Sequence, residues 1–387
     1  MSLIYQFYSG YYPASGGIET HITDLVSYLN SYDFQIITDA FPGLPLVEKK
    51  SPNVTIRRVL PINESIDPSA SSLKNKKIAF PYRLIKDLLR ANNKKQYLKE
   101  TEYDLIHIHG MNSGDAISRF SFLSKNDFLL KYYTDFSFIN KPKIVTIHGL
   151  SSLMVDNDFI KKIELDYLDQ FQNLICVDKK LYNYISEIVK EGTSIYHIPN
   201  GVECKRFKFS HLNDSDLLHI GFIGRLERSR GISFLVDLIK NVTKNTKIIV
   251  IGAGNYNEIL RFSSMVDISA ISFYQNVKYE LIPDYIQKID VLFNPVIAEG
   301  ISRVTLEAMA CGRPVIMLDK GDRYPIIHGK TGYLFKTNQD LEKLLDYLKD
   351  NKEELSRVGK AARNIVEKEY SNDVIIPQIS KLYEKLI

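Results

Sequence analysis

Residues 298–310 read Ala-Glu-Gly-Ile-Ser-Arg-Val-Thr-Leu-Glu-Ala-Met-Ala and hold two glutamates eight positions apart, Glu299 and Glu307. An apolar segment at 291–294 precedes them and reads as a strand. Gly300 suits a loop and Ser302 suits a helix N-cap. Glu299 then lies in the loop and Glu307 in the first or second helical turn. The amides of Ile301, Ser302, Arg303 and Val304 form a positive helix end that suits a phosphate. Carboxylates accept hydrogen bonds from vicinal hydroxyls, so two of them beside a phosphate site point to sugar and ribose recognition. The plainer alternative is a pair of capping and helix-dipole glutamates.

Two further turns carry compatible chemistry. Ile220-Gly221-Phe222-Ile223-Gly224-Arg225-Leu226 reads as a strand ending at glycine, with Arg225 and Arg230 at its mouth. Two guanidinium groups suit a diphosphate through bidentate charge-assisted bonds, although surface arginines would look the same. Near the N-terminus, a strand at 3–8 leads to Gly16 and Gly17 and then to a helix start. Glycine lets backbone approach an anion there, and a purely structural turn fits equally well. His109 and His148 each end a strand and are each followed by glycine, on what reads as one sheet edge. Such junctions often carry function.

Other patterns carry less. Gly252-Ala253-Gly254 lacks the third glycine of a dinucleotide fingerprint. Asp156-Asn157-Asp158 and Asp214-Ser215-Asp216 have the spacing of a metal-binding DxD but lie in polar loops. No His, Asp and Glu cluster reads as a metal cage, so no metal site is expected. Cys176, Cys204 and Cys311 are odd in number and far apart, which fits a reducing compartment.

The elements that must position these residues alternate along 387 residues, too many for one comfortable core. Short β-branched segments separated by helical stretches argue for parallel sheets built from βαβ units. There are two such sets, with a turn at Pro199-Asn200-Gly201 and a polar linker at 210–216. The expected fold is α/β, with two doubly wound domains facing each other across a cleft. Composition is that of an ordinary globular protein, with 44% hydrophobic and 25% charged residues. A net charge of +4 does not call for nucleic acid. No apolar run reaches membrane-spanning length. The first charged residue is Glu19, so no signal peptide is expected and a cytoplasmic location follows. Residues 71–100 hold nine Lys or Arg against two acids. Around 80–95 this reads as a basic amphipathic helix, either a solvated face or a contact for an anionic membrane surface at the inner face of the cell membrane.

Taken in order, these motifs resemble the retaining GT-B glycosyltransferases of glycosyltransferase family 4. The resemblance runs through Gly16-Gly17-Ile18-Glu19-Thr20-His21, His107-Ile108-His109-Gly110, Thr146-Ile147-His148-Gly149, Ile198-Pro199-Asn200-Gly201-Val202, Gly224-Arg225-Leu226 with Arg230-Gly231, Glu299-Gly300 with Glu307-Ala308-Met309-Ala310, and Gly329-Lys330-Thr331-Gly332. It implies two Rossmann-like domains. Residues 1–203 would bind the acceptor and 204–387 the nucleotide-sugar donor, with a C-terminal helix from about 374 crossing back onto the first domain. It implies that Gly16 and Gly17 approach the donor diphosphate or the acceptor, and that Arg225 and Arg230 hold the diphosphate. Glu299 would bind the transferred sugar and Glu307 the ribose. His148 would stand at the reacting centre, with His109 a weaker candidate. The base would rest against Asn276 and Val277. Arg230 stands where the family usually has lysine, and Ile301-Ser302 replace an aromatic-glycine pair.

The implied activity is metal-independent transfer of a hexose-type sugar, with retention, from a UDP- or GDP-linked donor to a glycan or lipid-linked hydroxyl. UDP is favoured and no cofactor is required. A sugar-nucleotide epimerase of the same fold, a catalytically silent partner subunit and a nicotinamide oxidoreductase are the competing classes. The missing third glycine argues against the last.

Overall fold

The computed structural model describes residues 1–11, 16–41, 43–60, 89, 92–110, 134–153, 157–212, 214–241, 245–254, 256–297 and 300–387. The chain divides into two compact units, residues 1–199 with 376–387 and residues 200–375. The division falls at Pro199/Asn200, inside the Pro-Asn-Gly turn. The polar run at 210–216, expected as the linker, belongs to the second unit instead. Its first residue, Ser210, is bound there by the buried Arg313 guanidinium through Oγ and carbonyl at 2.7 Å each.

The first unit holds an eight-stranded sheet, β1 (Leu3–Phe7), β2 (Asp33–Asp39), β3 (Val47–Ser51), β4 (Val54–Leu60), β5 (Leu105–His109), β6 (Lys143–Ile147), β7 (Asn173–Cys176) and β8 (Ser194–His197). Its order is β3-β4-β2-β1-β5-β6-β7-β8. Every neighbouring pair is parallel except β3 with β4. That antiparallel edge was not expected, because Val-Glu-Lys-Lys-Ser has no apolar alternation. β3 is instead pinned by Arg58 of β4, whose buried guanidinium reaches the Pro45 carbonyl and Glu48, each at 2.7 Å. Helices α1 (Gly17–Tyr28), α2 (Asp158–Leu168) and α3 (Lys179–Ile188) connect these strands. Asn157 and Asp178 cap α2 and α3 with their side chains. Asn157 therefore acts as a cap, while Asp156 beside it lies outside the described residues.

The second unit holds six parallel strands, β9 (Leu218–Arg225), β10 (Thr246–Ala253), β11 (Ser272–Gln275), β12 (Val291–Asn294), β13 (Val315–Leu318) and β14 (Tyr333–Phe335), ordered β11-β10-β9-β12-β13-β14. Both faces of this sheet are covered. Ile248 and Val250 of β10 enter one core and Ile249 and Ile251 enter the other. This explains why its strands read as continuous apolar runs rather than alternating ones. The connecting helices are α4 (Ile232–Asn241), α5 (Tyr256–Ser263), α6 (Ile282–Gln287), α7 (Arg303–Ala310), α8 (Asn338–Asp350) and α9 (Lys352–Glu369). The final helix, α10 (Asn372–Leu386), begins in the second unit and ends in the first.

Each sheet reverses its strand order once, between β1 and β5 in the first unit and between β9 and β12 in the second. Crevices beyond the carboxyl ends of strands at such switch points are where doubly wound sheets bind ligands.

Candidate functional site

In the second unit, the switch point gathers the segments that the sequence singles out. β9 ends at the exposed Arg225, and Arg230 follows in a short 3-10 turn with Glu227 Oε1 3.8 Å from its Nε. Gly231 closes that turn at φ +72°, and a Cβ there would meet the Pro295 carbonyl oxygen at 1.9 Å. The glycine thus lets the arginine turn pack against the loop after β12, and Ile297 N–H donates to Ser229 O at 3.1 Å to fasten the two. Arg323 holds the same loop from beneath. Its buried guanidinium donates to the carbonyls of Val296 (2.9 Å), Leu318 (2.9 Å) and Gly300 (3.3 Å). Sequence reasoning missed Arg323. An arginine in a polar loop looks solvated until the fold buries it.

Gly300 adopts φ +90°, and α7 begins at Arg303. Ser302 occupies the N-cap, yet its side chain does not cap. Its hydroxyl accepts from Asn294 Nδ2 at 2.9 Å and lies 3.0 Å from Thr305 Oγ1. That internal network fixes the loop, and the Ser302 side chain caps no amide of α7. Ile301 and Val304 are partly buried and pack on the core beneath. Glu307 falls in the second turn, buried, with Oε1 accepting from Tyr279 Oη at 2.8 Å and lying 3.8 Å from Arg303 Nε. On the neighbouring strand ends, Asn276 follows β11 at φ +47° and its Oδ1 accepts from Gly254 N–H at 3.3 Å. Val277 packs against the core. Arg225, Arg230, Asn276, Val277, Gly300, Ile301, Ser302, Arg303, Val304 and Glu307 therefore all lie at or just beyond the carboxyl ends of β9, β11 and β12, Glu307 one turn into α7. Glu299 lies outside the described residues.

In the first unit, Gly16 is the N-cap of α1 and, as a glycine, offers no capping side chain; Gly17 is the first helical residue. Across the switch point sits a chain of buried polar groups. Gln6 Nε2 donates to Tyr383 Oη at 3.1 Å, and Tyr383 Oη lies 2.6 Å from His107 Nδ1. His107 Nε2 reaches Thr146 Oγ1 at 2.7 Å. In the tautomer protonated on Nε2, His107 accepts from the Tyr383 hydroxyl and donates to Thr146 Oγ1. His109 Nε2–H donates to Gln6 Oε1 at 2.7 Å. Burial, with His148 nearby, pushes the His107 pKa down to about 3. Burial and the neighbouring His107, His21 and His148 hold His109 well below the ordinary histidine value. His148 follows β6 and is half-buried, its ring 6.0 Å from His109 and 5.4 Å from His21 of α1. No spacing rule could find this grouping, because residues 21, 109 and 148 meet only through strand order.

Of the basic segment expected around 80–95, residues 89 and 92–95 are described, and Lys94 among them is buried, its ammonium donating to the Asp135 carbonyl at 3.1 Å. Among the described residues, no helix is long and apolar enough to cross a membrane.

The chain is similar to known proteins. Residues 15–206 match the family model described as Glycosyltransferase Family 4, and residues 204–365 match Glycosyl transferases group 1. An uncharacterized glycosyltransferase of Methanocaldococcus jannaschii is 28% identical over 97% of this chain and 96% of its own. UDP-Gal:α-D-GlcNAc-diphosphoundecaprenol α-1,3-galactosyltransferase of Escherichia coli is 22% identical over 87% and 89%. Among solved structures, Anabaena HepE in complex with UDP-glucose superposes with a TM-score of 0.72 at 15% identity, over the whole of both chains. The fold is GT-B, with two Rossmann-like units, and the chain belongs to glycosyltransferase family 4.

Proposed function

We propose that this glycosyltransferase moves a hexose-type sugar from a nucleotide diphosphate sugar, UDP-linked in preference to GDP-linked, to a hydroxyl of a glycan or lipid-linked acceptor. The transfer retains the anomeric configuration and needs no metal on the diphosphate. The observation that carries the reading is the second unit's switch point. There the start of a helix, a buried carboxylate and two arginines stand on adjacent strand ends. The UDP donor and the lipid-linked acceptor draw support from the names of the Escherichia coli relative and of the HepE complex.

Residues 204–387 bind the donor in this reading. Arg225, Arg230 and the amides of Ile301, Ser302, Arg303 and Val304 neutralise the charge that grows on the departing diphosphate. Glu307, held by Tyr279, receives the ribose hydroxyls, and the base lies along Asn276 and Val277. Glu299 binds the transferred sugar, and Gly300 lets the backbone approach it. Residues 1–203 present the acceptor. The start of α1 at Gly16-Gly17 contacts the diphosphate or acceptor, and His148 stands at the reacting centre. The departing phosphate assists deprotonation of the acceptor hydroxyl, so no side-chain nucleophile is needed.

The test is to supply UDP-sugars with a panel of lipid-linked and glycan acceptors and to determine the linkage by NMR. A product with the donor's anomeric configuration is expected. An inverted linkage contradicts retention, and an isomerised donor formed without acceptor identifies an epimerase. The basic segment at 80–95 is proposed to place the enzyme peripherally on anionic lipid at the inner face of the cell membrane. Flotation with anionic but not neutral liposomes is expected, and absence of lipid-dependent binding contradicts it.

A further inference from the structure

We propose that His21, His109 and His148 form a three-imidazole site for a divalent transition-metal ion of the zinc or cobalt class. The three come from the second turn of α1 and from the ends of β5 and β6, all within the first unit. One ring nitrogen of each lies within 4.8 Å of the others. Zinc binds imidazole nitrogen at roughly 2.0–2.1 Å, so a modest inward movement of the rings closes the set.

Two features distinguish this cluster from incidental packing of histidines. First, the orientation of His109 is fixed from behind. Its Nε2–H donates to Gln6 Oε1, which leaves Nδ1 with its lone pair and without a hydrogen-bond partner in a fully buried residue. Metal-bound histidines ordinarily donate their second ring N–H to an oxygen in this way. Second, the support continues outward. Gln6 is held by Tyr383 and Tyr383 by His107, so an ordered polar network sets the ligand's tautomer.

The donor set selects the ion. Three nitrogens with no carboxylate suit zinc, cobalt, nickel or copper and not the oxygen-seeking magnesium or calcium. The half-buried His148 leaves one side accessible for a fourth ligand, as in open three-histidine sites. The three ligands belong to the first unit, and the residues proposed for the diphosphate, Arg225, Arg230 and the start of α7, belong to the second. Occupancy of the site takes up the His148 ring and is expected to inhibit transfer.

The experiment is titration of chelator-stripped full-length protein with Zn2+ and Co2+ by calorimetry and visible absorption. One ion per chain is expected, with the absorption of a low-coordinate nitrogen-ligated cobalt. His21→Asn should abolish stoichiometric binding. Gln6→Leu, which touches no metal, should weaken it by about 10–100-fold. Thermal shift by UDP-sugar reports whether each variant keeps its donor unit, and it reads the function proposed above independently. X-ray absorption of the zinc-loaded wild type bypasses the variants and should show three imidazole ligands. No stoichiometric binding, affinity unchanged in both variants, or a sulfur shell would overturn the proposal.

Discussion

The Tyr279 hydroxyl donates a 2.8 Å hydrogen bond to Oε1 of Glu307, joining the 3-10 turn beyond β11 to the second turn of α7. This single bond fixes one carboxylate oxygen and orients the other. It also links the strand end assigned to the base with the helix assigned to the diphosphate.

Glu307→Gln keeps an acceptor for Tyr279 and removes the charge. Hydrogen bonds to charged groups contribute roughly 1.5–3 kcal/mol, so the nucleotide dissociation constant should rise by at least about tenfold while the melting temperature changes little. Calorimetric titration with UDP checks this. Tyr279→Phe should weaken binding less, because the carboxylate remains.

Much of this site was legible in the sequence, for a physical reason. The residues after β9 and β12 are local: strand, glycine, then charged groups at a helix start, so chain order alone brings them near a strand end. What escaped was what folding brings together from afar. Arg323 reads as a loop arginine until its guanidinium is found on three carbonyls. The histidine cluster and the Gln6–Tyr383–His107 chain span the unit from residue 6 to residue 383. β3 escaped because an edge strand beside solvent tolerates Glu-Lys-Lys. Ser302 was placed correctly at the N-cap, but its hydroxyl serves Asn294 and Thr305, which composition cannot reveal.

Arg323→Met should destabilise the second unit by about 3 kcal/mol, since three carbonyls lose a charged donor in a buried place. Arg323→Lys should restore only part, because one ammonium cannot match the planar fork. Urea denaturation measures both.

Acid should unfold the first unit early. The folded His107 pKa is about 3, against an ordinary value of 6.5, and that of His109 is also depressed. The unfolded chain therefore binds more protons. The stabilisation is fully present above about 6.5 and declines as the pH falls from there toward about 3, at roughly 1.4 kcal/mol per pH unit for each histidine. Denaturation midpoints measured between pH 7 and pH 4 test this. His107→Gln should flatten the slope by one histidine's share.

Arg225→Ala should cost about 10–100-fold in affinity for a nucleoside diphosphate and much less for the nucleoside, as expected for loss of a charge-assisted contact. Arg225 is exposed at the end of β9, so stability should be unaffected. Parallel titrations with UDP and uridine distinguish a phosphate contact from a general loss of fold.

The proposed function requires the second unit to bind a nucleotide diphosphate sugar without a metal. The most direct measurement is thermal shift of the full chain with UDP-, GDP- and ADP-sugars and NAD, each with magnesium and with EDTA. A ligand at 100 times its dissociation constant stabilises by about 2.7 kcal/mol. The account predicts a shift with UDP-sugars that is the same in EDTA. A shift with NAD alone, or one with UDP-sugars that vanishes in EDTA, would contradict it.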